Sequence, residues 1–140
     1  MKSVVYTKFI MFLLVASCKT NCEINGIKVD ELLYSVSYNK SIYYCELLEL
    51  ALNGDDEAIK EISLLEFYNA VAYEHGIIVV ELILHIGENN YIKAIEGLNE
   101  KQKHLVEAYV NIGLEYGVNS RINNKEINKQ FPKLDLFLKN

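Results

Sequence analysis

The chain has 140 residues, 51% of them apolar, with a single proline at Pro132. That size and composition fit one domain with a real hydrophobic core and exclude a long disordered tail. A net charge of −5 repels phosphate backbones, which argues against nucleic acid as a ligand; it favours a basic protein partner, and at the least it keeps the domain soluble.

Residues 1–18 read MKSVVYTKFIMFLLVASC. Lys2 and Lys8 make a positive start, and Phe9 to Ala16 is an unbroken apolar run. The run is shorter than the roughly 20 residues a membrane span needs, which is the layout of a secretory signal. The junction Val15-Ala16-Ser17-Cys18 resembles the lipobox of bacterial lipoproteins: an aliphatic residue, two small residues, then cysteine. The resemblance implies a diacylglycerol group on the Cys18 sulfur, cleavage just before Cys18, and acylation of the new amino group. Two or three acyl chains hold firmly where one binds marginally. The implied location is the cell envelope, lipid-anchored to a bacterial membrane and facing the periplasm. The expected organisation is a signal peptide over 1–17, a lipidated tether over 18–26, and one helical domain over 27–140. Removing residues 1–17 leaves 123 residues with twelve basic and nineteen acidic side chains, a net charge of −7.

Cys22 and Cys45 are the remaining cysteines. An exported domain sits where disulfides persist, so the pair is able to staple the tether to an early helix. The setting Ile42-Tyr43-Tyr44-Cys45-Glu46-Leu47-Leu48 favours instead a buried Cys45 acting as a small hydrophobe.

Lys19 to Asn25 reads as a polar tether. Asp30 is a fitting cap for a helix over Glu31–Val36, and Asn39-Lys40-Ser41 a break, with Ser41 capping a second helix over Ile42–Leu52. Asn53-Gly54 stops it, and Asp55-Asp56-Glu57 opens a third helix with acids at its positive end. A long helix is predicted over Ala70–Ile86, with Gly76 as a kink or start and Gly87 as the stop. A shorter one follows near Asn90–Gly97. The next covers Lys101–Tyr116, with an apolar stripe of Leu105, Tyr109, Ile112 and Tyr116. A short helix near Lys125–Gln130 precedes a closing apolar clamp of Phe131, Leu134, Leu136, Phe137 and Leu138. Ile77–Val80 alone tempts a strand assignment, but it sits inside a helical register. The fold class is therefore all-α, a compact bundle of about six to seven short helices. The core is expected to hold Ile62, Leu65, Ile83, Leu105 and Ile112. Gly54, Ile59-Lys60, Ile62 and Leu65 recur 33 positions later as Gly87, Ile92-Lys93, Ile95 and Leu98, a period typical of helix-pair arrays resembling a short solenoid, but the second helices of the two units do not match, which favours coincidental amphipathic helices.

Chemistry-bearing motifs are scarce. The 70–86 helix carries most of its polar residues on one line, Glu74, Glu81 and His85, continued by Glu88, and His75 adjoins that line at the N-terminal end. Glu81 and His85 at i,i+4 have the spacing to share a metal or a proton, yet they equally make an ordinary solvent-facing pair. Glu46 and Glu49 mark a second acidic line on the 42–52 helix. There is no Gly-x-Ser-x-Gly, Walker loop, dinucleotide glycine motif or His-Glu-x-x-His. The reading is a non-enzyme without cofactor or metal that binds a protein, possessing candidate contacts at Glu46, Glu49, Glu74, Glu81 and His85. In type the mature part is similar to the small helical lipoproteins that act as immunity proteins in interbacterial toxin systems. An envelope-assembly scaffold is the alternative, and a metal-dependent enzyme the third.

Overall fold

A computed structural model describes residues 22–140. The segment expected to be a signal peptide, Cys18 and the start of the expected tether lie outside the described residues. Ten elements follow in order: strands β1 (Cys22–Ile24) and β2 (Ile27–Val29), then helices α1 (Glu31–Asn39), α2 (Tyr44–Leu52), α3 (Asp56–Ser63), α4 (Ala70–Ile86), α5 (Glu88–Ala94), α6 (Glu100–Tyr116), α7 (Ile127–Gln130) and α8 (Pro132–Lys139). The helices hold 66% of the described residues, in a compact, mostly helical bundle. Eight helices form among the described residues where about six to seven were expected, because the closing clamp is itself helical. Pro132 opens α8 at its first position, where a missing N–H costs nothing.

The hairpin is the main departure from the expected layout. Cys22–Ile24 and Ile27–Val29 pair antiparallel, with Ile24 opposite Ile27, so strand begins inside the segment read as tether. The turn is Asn25-Gly26, both with positive φ (51° and 81°), the geometry that a two-residue hairpin needs and that Asn-Gly supplies. The alternation sends Ile27 and Val29 into the core and Lys28 to water. Cys22 and Cys45 form a disulfide, which fastens the hairpin to the first turn of α2. Cys45 is thus a half-buried staple and not the free buried hydrophobe expected from its apolar neighbours.

Helix starts follow the side chains that can satisfy open N–H groups. Asp30 accepts from Leu32 N, Asp55 accepts from Ala58 N, and Asn99 with Gln102 makes a reciprocal capping box on α6. Ser41 is not a cap: it sits at φ 60°, and α2 begins three residues later.

The long helices α4 and α6 form the most extensive contact in the fold. They meet at Gly76 and Gly113. A Cβ on Gly76 would lie 2.8 Å from both the Tyr109 carbonyl oxygen and Ile112 Cγ2; a Cβ on Gly113 would run into the Gly76 carbonyl and Val80. Gly76 is therefore neither kink nor start, but a mid-helix position where two backbones approach. This contact sets the inward face of α6, which is Val106, Tyr109, Val110, Gly113 and Leu114. The expected stripe is rotated: Leu105 and Ile112 pack only at the margin of the core and Tyr116 is 54% exposed. Of the other expected core positions, Ile62 and Ile83 are fully buried and Leu65 is marginal.

The 33-residue echo has a structural counterpart. Gly54 and Gly87 both take positive φ (87° and 88°), and the helices they introduce, α3 and α5, pack on each other. Ser63 Oγ and Tyr91 OH meet there at 2.7 Å, and Lys93 reaches Asp56 at 3.3 Å.

Two outcomes are expected in urea unfolding. Gly113→Ala should lower stability by ~1–3 kcal/mol through overpacking, although alanine on an open helix face would add up to ~1 kcal/mol. A rise in the midpoint would contradict the close crossing. Cys45→Ala frees a loop closed over 23 residues of sequence and should cost about 3 kcal/mol, checked against reduction of the parent.

Candidate functional site

The five residues singled out from sequence do not converge. Glu46 and Glu49 are exposed on α2, on the side away from its buried residues Tyr44, Leu48, Ala51 and Leu52. Glu74 is half-buried near Asp30, and burial first, then that like charge, raises its pKa. Glu81 accepts a 2.7 Å hydrogen bond from Asn119 Nδ2, and Arg121 donates to the Leu84 carbonyl beside it. The loop after α6 thereby covers part of the acidic line on α4. Glu88 accepts from Leu134 N at 2.7 Å, satisfying the open first turn of α8 from another element. His85 stays exposed. Among the described residues no hydrogen bond or ion pair joins two of these five, and no three His, Cys, Asp or Glu side chains gather as a metal site. No single described helix is long and apolar enough to cross a membrane.

What sequence reasoning missed is a buried aromatic cluster around His75. The imidazole is 0% exposed, and its Nδ1 shares a 2.7 Å hydrogen bond with Tyr44 OH. Tyr109 and Phe67 approach edge-on, with ring centroids at 4.5 and 4.9 Å. Tyr109 OH donates to the Leu65 carbonyl and accepts from Phe67 N, tying the α3–α4 connection to α6. Among the described residues Nε2 has no hydrogen-bond partner. The Ile62 carbonyl lies near enough to favour the charged ring slightly, but burial dominates and pushes the His75 pKa from 6.5 to about 3. The same burial raises the Tyr44 phenol well above its ordinary value. The cluster is closed to solvent, so it holds α2, α4 and α6 together and offers no route to a substrate.

Apart from the half-buried Tyr34, the described tyrosines divide into two sets. Tyr44, Tyr91 and Tyr109 are core groups whose hydroxyls find partners. Tyr38, Tyr43 and Tyr68 are 69–71% exposed, and Tyr73 and Tyr116 stack edge-on at the surface. Tyr38 and Tyr43 flank the α1–α2 connection. There two shallow depressions adjoin, one of about 220 Å³ lined by Tyr38, Ser41, Ile42 and Tyr43, the other of about 270 Å³ reaching Glu46, Leu50 and Glu61. A larger open groove of about 540 Å³ lies at the start of α6, lined by Glu66, Lys101 and His104 among others. Two N–H groups at that helix end, those of Asn99 and Gln102, are taken up by the reciprocal capping box.

Neither a protein-family model, nor a characterised protein, nor a solved structure matches this chain. The α1–α2 surface and the His75 cluster therefore stand on their geometry alone.

The His75 cluster makes a pH prediction. A base whose folded pKa is depressed binds fewer protons folded than unfolded between the two values, so stability is full above pH 6.5 and falls as pH drops toward about 3. At pH 4 the loss from this group is ~3 kcal/mol. His75→Phe should flatten the difference between midpoints at pH 7 and pH 4 by about that amount. An unchanged slope would mean that His75 is not held neutral.

Proposed function

We propose that this chain is the precursor of a bacterial lipoprotein, anchored through Cys18, whose mature domain binds a protein partner at the envelope and does no chemistry. The immunity type, a small helical lipoprotein that neutralises a toxin, is the specific form of this reading. Its anchoring half rests on the Val15-Ala16-Ser17-Cys18 junction. Its binding half is carried by one observation: large aromatic and aliphatic side chains stand exposed beside carboxylates at the α1–α2 connection. Tyrosine in such a place supplies contact area and a hydrogen bond at low entropic cost. The described residues carry eleven basic and nineteen acidic side chains, so a basic partner is steered in from solution.

The exposed carboxylates Glu46 and Glu49 act on the encounter. Glu81 and Glu88 are occupied by structural neighbours and Glu74 is half-buried beside Asp30, so all three are weaker choices for contact. His85 remains available at the far end of α4.

Two measurements test the proposal. Cells fed a clickable fatty acid should label the parent chain and not Cys18→Ala; equal labelling removes the anchor. The tagged full chain, recovered from its native envelope, should bring down a protein partner. Association with that partner should slow several-fold on raising the salt and on reversing Glu46 and Glu49, with little change in stability. Failure to recover a partner, together with a metal-dependent hydrolysis lost in His85→Ala, would overturn the proposal.

A further inference from the structure

We infer that the α1–α2 corner is the docking site for a cationic, amphipathic helix of the partner protein. This rests on the protein-binding reading above and names the surface and the chemistry it accepts.

Three observations converge on that corner. The first is exposed apolar area: Tyr38 at 69%, Tyr43 at 71% and Leu50 at 52%, with Ile42 and Leu47 half-buried between them. Tyr43, Leu47 and Leu50 stand at i, i+4 and i+7, a stripe that matches the apolar face of a second helix laid against it. The second is charge. Glu46 and Glu61 line the depression, and among the described residues no basic side chain lines either part of it. Lys40, the one base in the connection, is drawn to the other side: its Nζ donates to the Glu66 carbonyl and lies 5.2 Å from the Phe67 ring centroid. The third is rigidity. Ile42 N donates to the Ser37 carbonyl across the turn, and the Cys22–Cys45 disulfide holds the first turn of α2. A surface fixed before binding loses little entropy on meeting its partner.

The acidic edge decides the occupant. Anionic lipid headgroups are repelled by Glu46 and Glu61, and a second copy of this chain brings the same acidic edge with it. Lys or Arg flanking an apolar stripe satisfies both parts of the surface at once.

The test is site-specific photo-crosslinking in the full chain, in the cells that make it. A photoreactive phenylalanine replaces Tyr38, Tyr43 or, as a control on another face, Tyr73. All three side chains are exposed, so folding should survive, which far-UV circular dichroism checks. The expected result is an adduct at positions 38 and 43 and not at 73, mapping to a partner segment with net positive charge and apolar residues at helical spacing. Glu46→Lys with Glu61→Lys should cut the yield at least tenfold, and reversing the lysines of that segment should restore it. Adducts at 73 alone would overturn this surface while leaving protein binding intact. Adducts at 38 and 43 to lipid, to a second copy or to an acidic segment would overturn the chemistry assigned to the occupant. No protein adduct at any position, with no partner recovered from the envelope, would overturn both readings together.

Discussion

Everything in this fold depends on how closely α4 and α6 approach. Two glycines, Gly76 and Gly113, face each other in mid-helix, and each occupies a space that a methyl group would overfill. Glycine weakens an isolated helix by up to ~1 kcal/mol at each position, so the packing across the crossing must more than offset that loss. It does so by bringing Val79, Val80, Val110 and Leu114 into full burial. The crossing also places Tyr109 against His75, and Tyr109 in turn fastens the segment that joins α3 to α4. The short helices then pack around this pair.

The outer layer is secured by polar devices where apolar area is small. A hairpin of two three-residue strands cannot hold itself in water, and the disulfide to α2 substitutes for a larger sheet. The last helix is fastened by a carboxylate from a distant element, Glu88, and by Lys133 on Asn89. Charges that look like a binding line in sequence are thus partly consumed in holding the periphery. Tyr38, Tyr43 and Leu50 remain exposed at the α1–α2 corner, the surface proposed above for recognition.

The helices were legible because their signals are local. Asp30 and Asp55 cap where capping residues should, the bounds of α4 follow from its apolar length and Gly87, and Ile62 and Ile83 sit on the expected faces. The hairpin signal was present too: Asn25-Gly26 between Cys-Glu-Ile and Ile-Lys-Val is a two-residue turn between alternating strands. It was obscured by polar neighbours and by the brevity of the strands. The face of α6 was misplaced for a different reason. Periodicity weighs side-chain size, so it favours Ile112 and Tyr116 over Gly113, whereas a close crossing selects the residue with no side chain. His75 read as a companion of the acidic line, and its burial depends on Tyr44 and Phe67, distant in sequence. The convergence of Tyr43, Glu46 and Glu61 likewise needs α2 and α3 to be folded together.

The central claim is that α4 and α6 form one cooperative unit locked at the glycine crossing. Native-state hydrogen exchange measures this directly, residue by residue, because core elements open only with global unfolding while peripheral ones open locally. The account predicts that amides from Val79 to Ile83 and from Val110 to Leu114 exchange most slowly, with one shared opening free energy and one shared denaturant dependence. Those of the hairpin and α7 should exchange at lower cost. Fast exchange in the middle of α6, or two distinct opening energies for α4 and α6, would contradict it.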